Sequence, residues 1–449
     1  MRTKYGVGVC LILALLAAGS PLAAGGNAAL SFADADSLAQ IREKIKLNGY
    51  SFAVKPTWVY SLPPAAKAKM FKRRTSSGKL LPVPAAASLK AAKALPAAFD
   101  WRAYEGHSYI GPVKDQGTLG SCYAFGAIAA AEGTYNYATG NYDAARADFS
   151  ESYLVWSLSS LAPYGEHFGG GEGADYDYYE LLALTKLGVT GKEGVCAAAK
   201  FPYQTSQPSQ AVVTASFDYP RTLFKSWRRV YPANEADTVE QIKVAISTYG
   251  VVDAAVYASS AFTAYASGVY QDDFHSGSTT TPYYYTPTNH SIALVGWDDN
   301  PPEGGGGCWI LRNSWGATWG EDGYMRIRFT SAYANLEATY LVYDGGSFHS
   351  ADYNPADWKI DAFELLRVVT LFNNGLHYRP DAVSPDGFSP SPVAVDFAGK
   401  PYHSSDYNPA DGRIDLFELL RAVTLFNNGL YYQTDTSGAD GYAPSGATP

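Results

Sequence analysis

The sequence predicts an α+β fold in two segregated halves, helical first and strand-rich second, followed by a small repeated helical unit. Three observations carry this. An apolar, Ala-rich run from Ala124 to Ala131 follows a Gly-containing turn and has the composition of a buried helix. Helix signals continue to Tyr249, whereas from Val251 the chain turns to β-rich runs. Near the C-terminus one unit recurs at an offset of 54 residues, Asp352 to Glu364 returning as Asp406 to Glu418.

Taken in order, residues 1–24 read as an export signal. Arg2 and Lys4 are its positive end, Val7 to Ala18 its apolar core, and Ala23 and Ala24 the small residues before a cut. That core is shorter than the ~20 residues of a membrane span, so the mature protein is expected to be secreted, without a span. Residues 25–95 read as a pro-segment and linker. Within it Ala35 to Leu47 is an amphipathic helix ended by Asn48-Gly49, and Pro63-Pro64 opens a basic stretch with Lys67, Lys69, Lys72, Arg73 and Arg74. Such a stretch suits solvated surface or an exposed processing site. A compact domain spans 96–346. Its helices are expected after Cys122, after Ser150 as N-cap, from Asp175 to Leu187, and from Val239 to Tyr249. Its strands are Val251 to Tyr257, Gly268 to Tyr270, Ser291 to Trp297, Cys308 to Arg312 and Tyr324 to Phe329.

Net charge of −9 provides no basic face for phosphates, which argues against a nucleic-acid partner. Neither Gly169 to Gly171 nor Gly304 to Gly307 has the spacing of a nucleotide loop. Of four cysteines Cys10 leaves with the signal, and the odd remainder suggests a free Cys122 with Cys196 bridged to Cys308. No C-x-x-C or H-x-x-x-H spacing supports zinc.

The chemistry centres on Gln116 to Phe125. A cysteine at a helix N-terminus sits at the positive end of the helix dipole, which favours the thiolate. Further on, His290 to Trp297 and Cys308 to Asn313 form a hairpin across an Asp/Pro/Gly-rich loop. His290 and Asn313 are nearly equidistant from its centre and so fall opposite each other, ~5 Å apart. An Asn oxygen beside an imidazole N–H would set tautomer and orientation.

These stretches resemble the papain-like cysteine peptidases. The resemblance runs from Leu95 to Gly346 through Phe99-Asp100-Trp101-Arg102, Pro112 to Gly117, Phe149-Ser150-Glu151, Ser267 to Tyr270, Asn289-His290 and Arg312 to Gly316, and on to Trp319-Gly320-Glu321-Asp322-Gly323-Tyr324. It implies a two-lobed fold, a helical lobe facing an antiparallel β lobe, and no cofactor for catalysis. It also assigns Cys122 as nucleophile, His290 as acid and base, Asn313 as its orienting partner, and Gln116 with the Cys122 N–H as the oxyanion hole. Trp315 shields the Asn-His bond, and Gly170 and Gly171 pair with substrate backbone. Leu119 stands where the family often has a cysteine, and Ser157 lies near the usual partner, so that disulfide is absent. The segment before Leu95 is shorter than the family's helical pro-region and lacks its usual helix motif.

Residues 347–449 hold the repeat. Asp352, Asn354, Asp357, Asp361 and Glu364 return as Asp406, Asn408, Asp411, Asp415 and Glu418, each copy leading into a helix. Oxygen donors at such spacing suit Ca²⁺. The unit resembles dockerin modules, which implies a protein partner such as a cohesin-like scaffold or surface receptor. Each loop carries one residue more than the usual twelve. Without calcium, the helices would bury Phe363, Leu366, Leu371 and Phe372 against Phe417, Leu420, Leu425 and Phe426. Three functions follow: a secreted cysteine endopeptidase with a docking tail, an inactive adhesion scaffold, or a thiol acyl-transferase. Retention of Cys122, His290, Asn313 and Gln116 together favours catalysis over the scaffold.

Overall fold

The computed structural model describes residues 29–74, 89, 94–175, 178–230, 235–276, 288–304, 306–343 and 350–351. In the tail it describes 360–373, 377–381, 384, 386, 388–394, 397, 402–407, 410–427, 431–433 and 442–444. The export signal, with Arg2, Lys4 and Cys10, lies outside the described residues.

The N-terminal segment begins with α1 (Leu38–Leu47). Ser37 caps it in a reciprocal box with Gln40, and Asn48 closes it. Its apolar face buries Ile41 and Ile45. β1 (Ala53–Val54) and α2 (Pro64–Met70) follow. The compact domain then runs β2 (Ala98–Asp100), α3 (Cys122–Thr139), α4 (Tyr164–His167), α5 (Tyr179–Leu182), α6 (Gln210–Ser216), β3 (Ser226–Arg229), α7 (Glu235–Tyr249) and β4 (Val252–Val256). It continues with α8 (Ser260–Thr263), β5 (Tyr265–Ser267), β6 (Val269–Tyr270), β7 (His290–Asp298), β8 (Cys308–Arg312), β9 (Tyr324–Arg328) and β10 (Ala338–Val342).

The sheet runs β3-β10-β4-β7-β8-β9-β6, with β2 added against β7. All of its pairings are antiparallel except β6 with β9. One core lies around the sheet, with Trp297, Trp309, Trp315 and Trp319 fully buried. A second core lies around α3, with Tyr153, Leu154, Phe168 and Phe224. The segregation is looser than expected: β2 joins the sheet from the N-terminal side, and α7 packs on β7 and β10. The N-terminal segment belongs to the sheet core itself, through Phe32, Ile41, Phe52, Val59 and Met70.

The structure corrects four expectations here. In place of a helix over Asp175 to Leu187, only Tyr179–Leu182 is α-helical among the described residues. Asp175 lies 2.7 Å from His167 Nδ1, and Tyr178 takes a left-handed φ of 57°, which breaks any helix running through it. After Ser150, whose Oγ accepts from the Tyr153 N–H at 3.0 Å, the turn over Tyr153–Ser157 is a π-helix. Cys196 and Cys308 are not bridged. Both are free and buried, Cys196 in the helical core and Cys308 on β8. His290 and Asn313 are not directly opposite, because the register pairs Asp298 with Cys308 and, past a bulge between Leu294 and Gly296, Ala293 with Arg312.

In the tail, α9 (Ala362–Asn373) and α10 (Leu416–Asn427) flank the hairpin of β11 (His377–Pro380) and β12 (Phe388–Ser391), and β13 (Tyr431–Gln433) pairs with β14 (Tyr442–Pro444). Val368, Leu371, Ala422 and Leu425 form the seam with Tyr378, while Phe372 and Phe426 are half-buried. The packing of Phe363, Leu366, Phe417 and Leu420 expected as the alternative to calcium loops is not found. They lie on the outer faces of the two helices and are exposed, Phe363 by 80% and Phe417 by 76%.

Candidate active site

Cys122 opens α3. The turn before it uses Gly117 at φ of 59°, and Gly120 approaches its neighbours so closely that a Cβ there would lie 2.6 Å from the Gly171 carbonyl oxygen. Gly126 and Gly133 let the helix lie against the sheet. A Cβ at Gly126 would meet Ser291 Oγ at 2.0 Å, and one at Gly133 would meet Val251 Cγ2 at 2.2 Å. This contact sets the thiol beside the start of β7, where His290 is buried.

His290 Nε2 lies 2.8 Å from Asn313 Oδ1. The same oxygen accepts the Ser314 backbone N–H at 2.8 Å, which fixes which end of the amide faces the ring. Nε2 therefore carries the proton, and Nδ1 is left with a lone pair. Nδ1 is buried and has no hydrogen-bond partner among the described residues. It lines the same cavity as Cys122. Asn313 reaches His290 diagonally across the bulged pairing rather than directly, a reach of two positions that side chains still span. Trp315 stacks on His290, ring centres 4.6 Å apart, and covers the bond.

Gln116 is fully buried. Its N–H bonds the Ser314 carbonyl at 2.9 Å, its Oε1 accepts from Ser314 Oγ at 2.6 Å, and its Nε2 donates one hydrogen to the Leu119 carbonyl at 2.9 Å. The second hydrogen of that amide is left uncommitted among the described residues, and the Cys122 N–H opens the helix without an i−4 acceptor.

The N-terminal segment crosses this site. β1 pairs with β5, and Trp58 Nε1 donates to the Trp315 carbonyl at 2.9 Å. The Phe71 ring stands edge-on to His290 and to Trp315, 5.8 Å from each. Lys72 pairs with Glu172, and the Arg74 N–H bonds the Ala174 carbonyl at 3.1 Å. A Cβ on Gly173 would strike the Lys72 carbonyl oxygen at 2.0 Å. The positions lying against this backbone are thus Gly173 and Ala174. Gly170 donates to the Val155 carbonyl at 3.1 Å, and Gly171 lies against Leu119. The basic stretch was expected as solvated surface or a processing site. Lys72 to Arg74 sit in the cleft, and 75–88 lie outside the described residues.

Covering the site changes its electrostatics. Burial pushes the Cys122 thiol up, and the N–H groups of Ser291 and Tyr123 and the charge of Arg73 only offset this in part. Burial pushes His290 down to about 4, against the opposing bond to Asn313. The thiolate expected from the helix position is therefore disfavoured while the segment lies in place.

The remaining sequence candidates are in the tail. Asp352, Asn354, Asp357 and Asn408 lie outside the described residues. Asp361 and Asp415 act as helix caps: each accepts from the N–H of Glu364 or Glu418, at 2.8 and 2.9 Å, and each glutamate bonds back at 2.9 Å. Asp406 accepts from the Asp411 and Gly412 N–H groups and from Tyr378, and Asp411 from the Arg413 N–H. Among the described residues no three acidic, His or Cys side chains converge as a metal site. These carboxylates are each engaged by hydrogen bonds within the tail.

A cysteine at a helix start, a histidine oriented by an asparagine and a buried glutamine amide, set between a helical and a β half, define a cysteine-protease class of site. The papain family cysteine protease model matches residues 95–342, more than half of the chain, and the chain belongs to that family. Cysteine proteinase 1 of Entamoeba histolytica is 33% identical over 233 residues, covering 52% of this chain and 63% of that protein. Cathepsin K of Gallus gallus is 30% identical over 246 residues, covering 54% and 62%. The chain thus spans a little under two thirds of these relatives' length. The proform of the ragweed pollen cysteine protease Amb a 11 superposes with a TM-score of 0.52 at 21% identity, over 68% of this chain and 84% of that one. Procathepsin L 3 of Tenebrio molitor larval midgut gives 0.50 at 20%, over 68% and 87%. These two likenesses concern the fold.

Proposed function

We propose that the protein is a secreted cysteine endopeptidase held inactive by residues 29–74. The observation that carries this is the open, buried Nδ1 of His290 in the cavity of Cys122, with Nε2 committed to Asn313. Once the segment leaves, Nδ1 takes the thiol proton and the thiolate attacks a peptide carbonyl. The Cys122 N–H and the free hydrogen of Gln116 Nε2 stabilise the resulting oxyanion. The imidazolium then protonates the leaving amine. Water, deprotonated by the neutral imidazole, hydrolyses the thioester and frees Cys122. No cofactor enters this sequence. Trp315 keeps water from the Asn313–His290 bond.

The test is alkylation of the full chain after cleavage between residues 75 and 95. Wild type should react with iodoacetamide far faster than a free thiol, at Cys122 alone, and His290→Ala should fall to the free-thiol rate. A rate independent of His290 would sink this reading. Turnover with an added amine distinguishes hydrolysis from acyl transfer, which would give an amide product.

The tail supports a second reading, Ca²⁺-dependent docking to a protein partner such as a cohesin-like scaffold or surface receptor. Its support is the 54-residue repeat together with the matched exposed pairs Phe363 with Leu366 and Phe417 with Leu420, which present the same apolar face twice.

A further inference from the structure

The cavity that holds Cys122 and His290 continues into an acidic recess lined by Asp175, Glu180, Asp253 and Glu337. Its occupant is the guanidinium of Arg73. One nitrogen, NH1, donates to the Thr288 carbonyl at 2.9 Å and also to Thr288 Oγ1, and NH2 lies 3.2 Å from Glu337 Oε2. Arg73 sits two residues past Phe71, which covers His290, and one before Arg74, whose N–H bonds the Ala174 carbonyl. Its side chain thus enters the recess from a backbone lying along the cleft, as a bound peptide's would.

The four acids are not equivalent. Asp175 is paired with His167 at 2.7 Å. Asp253 accepts from Ser291 Oγ at 2.8 Å, and burial pushes it up to about 7. Burial also pushes Glu180 well up, towards its neutral form. Glu337 is the one bonded to the guanidinium. Its side chain is 1% exposed, and it is fixed by Thr288 Oγ1 at 3.0 Å and Tyr178 OH at 3.3 Å. The buried Arg229 lies over the Tyr178 ring at 4.3 Å and is the nearby resident cation.

We propose that this recess is a selectivity pocket for arginine in peptide substrates, with Glu337 as the residue that selects it. The proposal rests on the peptidase reading and adds to it the class of substrate. Departure of the segment removes a guanidinium from a buried carboxylate, and an uncompensated buried charge is costly. A substrate arginine restores the pair and its hydrogen bonds to Thr288, whereas a leucine or phenylalanine leaves Glu337 without the guanidinium bonded to it here. Lysine offers a single point of charge in place of a fork that reaches both Thr288 and Glu337, and ranks below arginine.

The experiment uses the full chain after cleavage between residues 75 and 95, with peptidyl epoxides carrying Arg, Lys or Leu at each of three positions beside the reactive group. Rates of Cys122 modification are read by mass spectrometry. At one position Arg should exceed Leu by at least about tenfold, with Lys between. Glu337→Gln should reduce that ratio to near or below one, and Thr288→Val should reduce it a few-fold. Equal or faster reaction of Leu at every position in wild type overturns the proposal, whether or not the Glu337 variant folds. Iodoacetamide reads the peptidase reading separately. Fast, His290-dependent alkylation with no arginine preference rejects the pocket and leaves the peptidase. Slow alkylation with no epoxide reaction rejects both.

Discussion

At the residue scale, the covering segment acts on protons. His290 has its ordinary value of 6.5 lowered to about 4 by burial. Between these values the uncovered chain binds a proton that the covered site refuses, so stability of the covered state is complete above pH 6.5 and is lost as pH falls through 4. Glu172, held below the usual carboxylate range by its bond to Lys72, acts with the same sign. Full-length protein should therefore alkylate slowly at Cys122 at pH 7 and open progressively below pH 6. Phe71→Ala removes the ring against His290 and Trp315 and should raise the pH 7 rate by roughly tenfold or more. An unchanged rate in that variant, with the segment still attached, would show that Phe71 does not cover the site. Cys122, His290, Asn313 and Gln116 were legible as candidates because each sits in a recognisable local run, and the structure sets His290 against Asn313 and into the cavity of Cys122. Arg73 and Glu337 were not. A lone arginine in a basic stretch and a glutamate 264 positions away carry no local pattern.

At the element scale, α3 is held to the sheet by glycine contacts and by a charged cluster. Lys114 Nζ lies 2.7 Å from both Glu132 and Glu151, and 2.8 Å from Asp148. Arg312 on β8 reaches Glu132 at 3.5 Å. Burial raises Glu151 against the attraction of Lys114. Lys114→Met leaves two buried carboxylates short of a cation and should cost about 3–5 kcal/mol in denaturant unfolding at pH 7, with part recovered below pH 6 as Glu151 protonates. A loss under 1 kcal/mol would mean that Arg312 alone balances the cluster. The α3 helix, β7 and β8 were readable from composition and periodicity. The register was not: the strands pair Asp298 with Cys308, and the bulge between Leu294 and Gly296 then brings Asn313 one position nearer to His290, as a diagonal neighbour. A one-residue irregularity has no compositional signature, yet it resets every pairing beyond it.

At the scale of the whole molecule, the tail keeps its own core, Val368, Leu371, Tyr378, Ala422 and Leu425, which contains no residue of the two peptidase cores. Ca²⁺ titration of the full chain, read by calorimetry and by the melting temperature of the tail, tests the docking reading. Binding that is lost in Asp406→Ala and Asp352→Ala together supports it, and absence of heat and of any thermal shift at millimolar Ca²⁺ removes calcium from the proposal. The family of the tail's partner is a separate question, which exposed Phe363 and Phe417 address. Replacing both by Ser should weaken capture while leaving Cys122 alkylation unaltered.

The sequence by itself determined the family, the candidate catalytic residues and the order of helix and strand, because those depend on short runs of residue type and period. It also contained the repeat. Only the tertiary structure decided what fills the site. The N-terminal segment is part of the sheet core through Phe32, Ile41 and Phe52, and that anchoring carries Phe71 over His290 and Arg73 onto Glu337. Which carboxylates are paired, which cysteines stay apart and which tail phenylalanines face outward are likewise long-range outcomes. They follow from burial and from the contacts of residues far apart in the chain, and no local pattern encodes them.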